Sequence, residues 1–247
     1  MNQPLRALVF DVDGTLADTE RFHLQAFNEA FAAEGLDWRW DPALYTRLLE
    51  VSGGEERMLA YWREVRGGTV DIEGNAMRDL IERVHLAKTA AYEAMVNEGL
   101  VTLRPGVLAL MDEALARGLQ LAIATTTSPV NVAALLRRAV GPHWRLQFPV
   151  VCDASTAPRK KPDPQVYRQA LEGLGLPAHA CLAFEDSANG LRSARAAGMD
   201  TVVTPTAFTR HHDFTGALRV MPSLAGTTVD DLAGWRSEQA EPAGALS

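Results

Sequence analysis

The stretch Phe10-Asp11-Val12-Asp13-Gly14-Thr15-Leu16 limits what this chain can fold into more than any other. An apolar run, Ala7-Leu8-Val9-Phe10, leads into it and reads as a short, fully buried strand. Two aspartates one residue apart follow, and then a glycine. Carboxylates directly after a buried strand lie at the carboxyl end of a sheet, where open α/β folds hold their ligands. Taken alone, the pair could also be a turn that caps the next helix.

Beyond that stretch the apolar pattern alternates between two periods. Residues 5–11 read as the first strand. From Thr19 the spacing turns helical, with Phe22, Ala26, Phe27, Ala30 and Phe31 three to four apart, and Gly35 ends that helix. Residues 41–98 continue as helices, broken at Gly53-Gly54, Gly67-Gly68 and Gly74. The pattern changes at Arg104-Pro105-Gly106, where Pro105 opens a helix that runs through Leu108, Met111 and Leu115 and stops at Gly118. Further strands are expected at 119–124, 148–152, 180–184 and 201–204, with helices at 129–139, 165–174 and 190–197. Strands alternating with helices imply an α/β fold with a doubly wound parallel sheet and right-handed crossovers. Such a core does not need an all-helical block after its first strand. Residues 17–98 are therefore expected to form a separate helical cap on a core of residues 1–16 and 99–236. The small, polar stretch 237–247 is expected to be a disordered tail.

Composition narrows the function. Apolar residues make up 47% of the 247, ample for a core and against wholesale disorder. A net charge of −7 argues against nucleic acid as a partner. It does not bar phosphorylated substrates where a metal and a lysine supply local positive charge. No apolar run reaches the roughly eighteen residues of a membrane span, and Met1-Asn2-Gln3-Pro4 carries no signal-peptide pattern. Cys152 and Cys181 sit in apolar, strand-like surroundings and read as small buried hydrophobes. These features point to a reduced, cytoplasmic enzyme, expected to be a monomer with no membrane or nucleic-acid partner.

Three more features fall at strand ends. Thr125 follows the second strand, and its hydroxyl can donate to a phosphate oxygen. Lys161, within Lys160-Lys161-Pro162-Asp163-Pro164, follows the third, and Glu185-Asp186-Ser187 follows the fourth. Each has an ordinary alternative: Thr125 and Asp186 could cap helices, and Lys161 could be one solvated lysine of a basic loop. Parallel strands would gather Asp11, Asp13, Glu185 and Asp186 at one sheet edge. Two carboxylates about 4 Å apart repel by roughly 4 kcal/mol at an effective dielectric near 20. Four acids with one lysine would not stay ionised together without a cation. A hard divalent ion fits, and Mg²⁺ suits phosphate chemistry best.

In this order, the stretch 10–16, Thr125, Lys161 and Glu185-Asp186 resemble the four motifs of the haloacid-dehalogenase-like (HAD) hydrolases, most of which are phosphatases. The resemblance implies that the Asp11 side chain, the Asp13 backbone carbonyl and Asp186 bind Mg²⁺, with Glu185 either a further ligand or an acid behind them. It also implies a mechanism. Asp11 attacks phosphorus and forms an aspartyl-phosphate; Asp13 protonates the leaving oxygen and then activates water. Lys161 and Thr125 stabilise the equatorial oxygens together with the metal and nearby N–H groups.

A finer resemblance lies in the cap. Thr19-Glu20-Arg21-Phe22-His23, Asp37-Trp38-Arg39-Trp40-Asp41, residues 52–58, His85-Leu86-Ala87-Lys88-Thr89 and Leu103-Arg104-Pro105-Gly106 resemble the CbbY-like branch, phosphatases of xylulose-1,5-bisphosphate. Substrate contacts are then implied at Thr19, His23, Gly54, Arg57, Lys88 and Thr126. Arg57 suits a second phosphate because a guanidinium binds one through two parallel hydrogen bonds. Lys88 follows His85 by three residues on the same helix face and is a second candidate. His23 either binds substrate or packs as a buried histidine, and Trp38 and Trp40 read as core or cap rim. His211-His212 has no partner at metal-site spacing and reads as a surface loop. One departure stands out: the branch carries Gly-Gly-Lys-Glu-Arg where this chain has Gly53-Gly54-Glu55-Glu56-Arg57, an anion in place of a cation. A β-phosphoglucomutase-type phosphomutase and a non-catalytic sugar-phosphate-binding protein are the alternatives on this fold.

Overall fold

The computed structural model describes residues 4–65 and 75–240. The breaks expected at Gly67-Gly68 and Gly74 lie outside the described residues. In order the chain forms β1 (Ala7–Phe10), α1 (Glu20–Ala33), α2 (Pro42–Leu48), α3 (Gly54–Val65), α4 (Asn75–Asn97), α5 (Val107–Ala116), β2 (Gln120–Ala124), α6 (Pro129–Val140), α7 (Trp144–Gln147), β3 (Val150–Cys152), α8 (Gln165–Leu174), β4 (Cys181–Glu185), α9 (Ala188–Ala196), β5 (Asp200–Val203), β6 (Arg219–Val220) and α10 (Val229–Ala240).

The strands pair in parallel in the order β3-β2-β1-β4-β5-β6. β1 is central, with Phe10 opposite Ile123 on one flank and Phe184 on the other. Strand order reverses there, and such a point leaves a crevice outside the carboxyl ends.

Side chains alternate between the faces of a strand, which explains why these strands read as unbroken apolar runs. Leu8, Phe10, Leu121, Ile123, Leu182 and Phe184 join one cluster with Leu110 and Met111 of α5 and Leu135 of α6. Ala7, Val9, Ala122, Ala124, Cys181 and Ala183 join another with Val166, Tyr167 and Ala170 of α8. A third cluster lies within α1 to α4 and the loop after α1: Phe27, Phe31, Trp38, Trp40, Tyr45, Met58 and Ile81. Its rings pack closely, with Trp40 4.7 Å from Phe27 and 4.9 Å from Phe31. α1 and α4 serve two clusters, since Phe22, Ala26, Tyr92, Met95 and Val96 pack with the sheet. No helix among the described residues is long and apolar enough to cross a membrane.

Some expectations need correction. β1 starts at Ala7 and ends at Phe10, shorter than 5–11. Pro105 lies in a turn ahead of α5, which starts at Val107 behind a Gly106 cap. Its buried face is Val107, Leu110, Met111 and Ala114, while Leu108 is exposed. α7, β6 and α10 were not anticipated. β6 is two exposed residues with no apolar run to read. α10 did carry a signal, with Val229, Leu232 and Trp235 three apart behind a reciprocal cap in which Thr228 N–H donates to Asp231 Oδ2 and Asp231 N–H to Thr228 Oγ1. It runs to Ala240, so residues 237–240 of the expected tail are helical; residues 241–247 lie outside the described residues.

Gly106 takes a φ of 86°, and a Cβ there would stand 2.0 Å from the Leu224 carbonyl oxygen. Gly106→Ala is therefore expected to cost more than the roughly 1–2 kcal/mol of a left-handed residue alone. Urea unfolding should show a lower midpoint at unchanged m-value, and an unchanged midpoint would count against this contact.

Candidate active site

The register of the sheet assembles the site. Asp11 directly follows Phe10, Glu185 follows Phe184, and Thr125 lies two residues beyond Ile123, so the ends of β1, β2 and β4 bring all three together. Lys161 arrives from the loop after β3 and is buried. Its Nζ lies 2.7 Å from Asp11 Oδ1, 2.6 Å from Glu185 Oε1 and 2.9 Å from the Ala124 carbonyl oxygen, which uses all three N–H donors. The Thr15 hydroxyl donates to Asp11 Oδ2 at 3.1 Å. Glu185 also accepts from the Tyr167 hydroxyl at 2.6 Å and from the Asp186 N–H at 3.2 Å. Gly190 is required beside it, because a Cβ at that position would stand 1.9 Å from the Glu185 carboxylate.

Charge is crowded here. Asp11, Glu185 and Asp186 are buried, and each offers a carboxylate oxygen within 4.8 Å of the others. Burial pushes Asp11 up to about 7, with Glu185 and Asp13 adding to the shift and Lys161 opposing it. Burial, then Asp11 and Glu185, hold Asp186 well above the carboxylate range. Burial alone would lower the pKa of Lys161, but Asp11 and Glu185 outweigh it and raise it. One lysine thus serves three acids. An all-oxygen donor set with unbalanced negative charge is the environment a hard divalent cation seeks, so the residues fit one.

The Asp13 side chain is paired with His23, with Nε2 2.9 Å from Oδ1. The His23 ring stacks on Tyr92 at 4.1 Å. Burial would raise the Asp13 pKa, yet His23 and Lys88 hold it well below the usual range. Lys88 is buried, with its ammonium 5.2 Å from the Phe27 ring centre and 5.5 Å from that of Tyr92. Burial pushes it down to about 8, against the pull of Asp13.

A cavity of about 430 Å³ lies over the sheet edge. Asp11, Asp13, His23, Gly54, Arg57, Lys88, Thr125, Thr126, Lys161, Glu185 and Asp186 all line it, whereas Thr19 is fully buried behind it. Arg57 donates to the Leu48 carbonyl (3.2 Å), the Tyr45 hydroxyl (3.1 Å) and the Val51 carbonyl (3.4 Å), leaving two of its five N–H groups. Glu55 pairs with His85 Nδ1 at 3.3 Å. Ser128 caps α6 and Ser187 caps α9, so Thr125 and Asp186 serve as neither cap. His211 and His212 do have a partner: Glu50 Oε1 is 3.9 Å and 3.3 Å from their Nε2 atoms. Spacing could not reveal it, because Glu50 comes from the far side of the chain. Glu20, Tyr45 and Tyr167 were also missed as site residues. Glu20 stands inside a quoted motif, but nothing local marks it as facing a cavity.

The haloacid dehalogenase-like hydrolase family matches residues 5–198. The plasmid CbbY protein of Cupriavidus necator is 56% identical over 220 residues, covering 89% of this chain and 86% of its own. A CbbY mutant from Rhodobacter sphaeroides, solved in complex with xylulose-(1,5)bisphosphate, superposes with a TM-score of 0.85 at 42% identity, covering 92% of this chain and 99% of that one. β-Phosphoglucomutase from Clostridium difficile shares the fold at 19% identity, with a TM-score of 0.77 over 95% of this chain and 98% of its own.

Lys88 gives a pH test. With its pKa near 8, it is cationic below that pH and a neutral amine above it, so kcat/KM should fall through an alkaline limb near pH 8. Lys88→Arg, which stays charged, should move that limb to higher pH, and a limb that does not move would assign it to another group. The stability sign is opposite. Between about 8 and 10.5 the unfolded chain holds a proton that the folded chain has released, so this group favours folding more as pH rises.

Proposed function

This chain belongs to the haloacid dehalogenase-like hydrolases, and on that premise we propose that it is a Mg²⁺-dependent phosphatase of a ketose bisphosphate, xylulose-1,5-bisphosphate or a close analogue. The observation that carries the reading is the Asp11 carboxylate, buried at the cavity floor and oriented by Lys161 and Thr15 beside two further acids. The substrate class draws support from the relative solved with xylulose-(1,5)bisphosphate. In this proposal residues 1–16 and 99–236 are the core and 17–98 the cap, in keeping with the separate apolar cluster of α1 to α4. The free, buried cysteines agree with a reduced cytoplasmic setting, and the chain acts as a monomer.

Asp11 attacks phosphorus in line as the bond to the sugar oxygen breaks, giving an aspartyl-phosphate. Asp13 gives a proton to the leaving oxygen and then takes one from the water that hydrolyses the acyl-phosphate. The low pKa of Asp13 comes from His23 and Lys88 against a burial that favours the protonated form. A carboxyl that turns from His23 to the leaving oxygen therefore changes from base to acid. Lys161 has spent its protons on Asp11, Glu185 and Ala124, so it acts by holding the nucleophile and by its charge. Thr125 and Thr126 offer hydroxyls to the phosphoryl oxygens. Asp11, Asp186 and the Asp13 carbonyl, with Glu185 alongside, would hold Mg²⁺, which supplies charge neutralisation at the transferring group. Two contacts join the proposed cap to the core beside the cavity: Asn189 Nδ2 donates to the Glu50 carbonyl at 3.1 Å, and Lys160 lies 4.0 Å from Glu56.

Asp11→Asn is expected to fold normally and to release no phosphate from xylulose-1,5-bisphosphate, because an amide cannot form the acyl-phosphate. Retained turnover in that variant, or wild-type turnover that survives exhaustive chelation, would defeat the mechanism. For the distal phosphate, the two spare N–H groups of Arg57 are the principal donors, with Lys88 assisting. A charge-assisted hydrogen bond is worth about 1.5–3 kcal/mol, so Arg57→Ala should lower kcat/KM for the bisphosphate by roughly 10- to 150-fold. A small monophosphate should be affected much less; equal losses would remove Arg57 from the pocket.

A further inference from the structure

His211, His212 and the Glu50 carboxylate take no part in the scheme above. Together they form one of two groups of side chains among the described residues that could ligate a metal, and they share no residue with the acidic cluster. The histidines lie in the loop after β5, Glu50 in the turn after α2. His211 Nε2 and His212 Nε2 stand 3.9 Å and 3.3 Å from the same oxygen, Glu50 Oε1, and the three atoms fall within 4.8 Å of one another. Both segments are braced. In the loop, Thr206 N–H donates to Thr209 Oγ1 at 2.9 Å and His212 N–H to the Thr209 carbonyl at 2.9 Å. In the turn, the Glu50 carbonyl is held by Asn189. Next to them the Phe208 ring meets Tyr45 edge-on at 5.9 Å.

An ordinary ion pair does not account for this arrangement. The His212 side chain is 7% exposed, and its Nδ1 accepts from the Ala188 N–H at 3.2 Å. The ring proton is therefore on Nε2. Nε2 is close to Glu50 Oε1, yet it forms no aligned hydrogen bond with that oxygen or with any other group among the described residues. In a hydrogen bond the N–H aims at its acceptor, whereas the ligand atoms of a metal aim at a point between them. Ligands about 2.0–2.2 Å from a tetrahedral Zn²⁺ stand roughly 3.3–3.6 Å apart. The Glu50–His212 spacing already matches, and the half-exposed His211 and Glu50 side chains can turn to close the rest. Burial lowers the His212 pKa against the pull of Glu50, which keeps the ring neutral. Metal entry moves the Nε2 proton to Nδ1 and gives up only the long Ala188 bond. Imidazole nitrogens suit borderline ions such as Zn²⁺, whereas Mg²⁺ prefers an all-oxygen set. We infer that Glu50, His211 and His212 form a second metal site, for Zn²⁺ or a similar borderline divalent ion, that joins the turn after α2 to the loop after β5. The inference does not depend on the phosphatase reading.

The test is a calorimetric titration of Zn²⁺ into the full chain after exhaustive chelation, with Mg²⁺ in excess, in the wild type, Asp186→Ala, His211→Ala and Glu50→Gln. Asp186→Ala weakens the acidic cluster and leaves the three proposed ligands in place. The wild type and Asp186→Ala should both take up Zn²⁺ at this site. His211→Ala and Glu50→Gln should each weaken that binding by more than the roughly 10-fold that even an outer-shell partner is worth. Co²⁺ in place of Zn²⁺ should give the visible absorption of a tetrahedral ion in the wild type and lose it in both variants. Absence of Zn²⁺ binding overturns the site. So does binding that Asp186→Ala abolishes and the other two variants leave unchanged, because the ion then sits at the sheet edge. Loss with His211→Ala but not with Glu50→Gln also overturns it, since the ion would not join the two segments. His211→Phe, which keeps a ring without a nitrogen, serves if His211→Ala does not fold and should show the same loss.

Discussion

Lys161 gives all three of its protons to the edge of the sheet, and the rest of the site depends on that. Parallel strands that end side by side bring Asp11 and Glu185 together whatever the electrostatic consequence. Removing one partner of a buried ion pair typically costs about 3–5 kcal/mol, since the other charge is left unpaired. The loop that delivers Lys161 is accordingly tied down at both ends. Asp153 Oδ1 accepts from the N–H and hydroxyl of Ser155, and Gln169 Nε2 donates to the Thr156 carbonyl. Near the lysine, the Ser193 hydroxyl of α9 donates to the Asp163 carbonyl at 2.7 Å. These bonds fix the position of the Lys161 charge beside Asp11 and Glu185.

The loop after β1 is held from the other side. Arg104 donates to the carbonyls of Gly14, Thr204, Pro205 and Pro222, and its backbone N–H donates to the Leu16 carbonyl. It thus sits where the chain leaves the first strand's loop and where it returns, beside the bridge between Ala17 and Leu103. α1 and α4, shared between two apolar clusters, tie the helices above the sheet to the sheet itself.

The core was legible because its signals are local. Buried parallel strands read as apolar runs, the acids follow them directly, and the order of strands and helices dictates which ends meet. The contacts of the helices above the sheet were less legible because they depend on distant pairs. Glu20 and Tyr45 stand 25 residues apart, Asn189 and Glu50 139. No periodicity links such residues; only the packing of Phe27, Trp40 and Tyr45 brings them within reach. Lys161 shows both sides of this: its place after the third strand was evident, but the complete use of its protons needed the geometry of Asp11, Glu185 and Ala124. Pro105 and Leu108 misled for a different reason, since Gly106 with its positive φ starts the helix two residues later and rotates its buried face.

Charge is divided unequally between the parts. The sheet edge contributes Asp11, Glu185 and Asp186 against one lysine, whereas the helices above contribute the cations Arg57 and Lys88 together with the acids Glu20, Glu55 and Glu56. On the proposed reading, a phosphate meets Arg57 and Lys88 from above and needs a cation below. The His23–Asp13 contact joins α1 to the loop after β1. On the proposed reading, residues above the sheet such as Glu55 and Arg57 can vary while Asp11, Lys161 and Glu185 stay constant. An anion at Glu55 is tolerated on this account, because it lies 3.3 Å from His85 Nδ1 on the neighbouring helix and feels the charge of Lys160, and touches no group that holds Asp11.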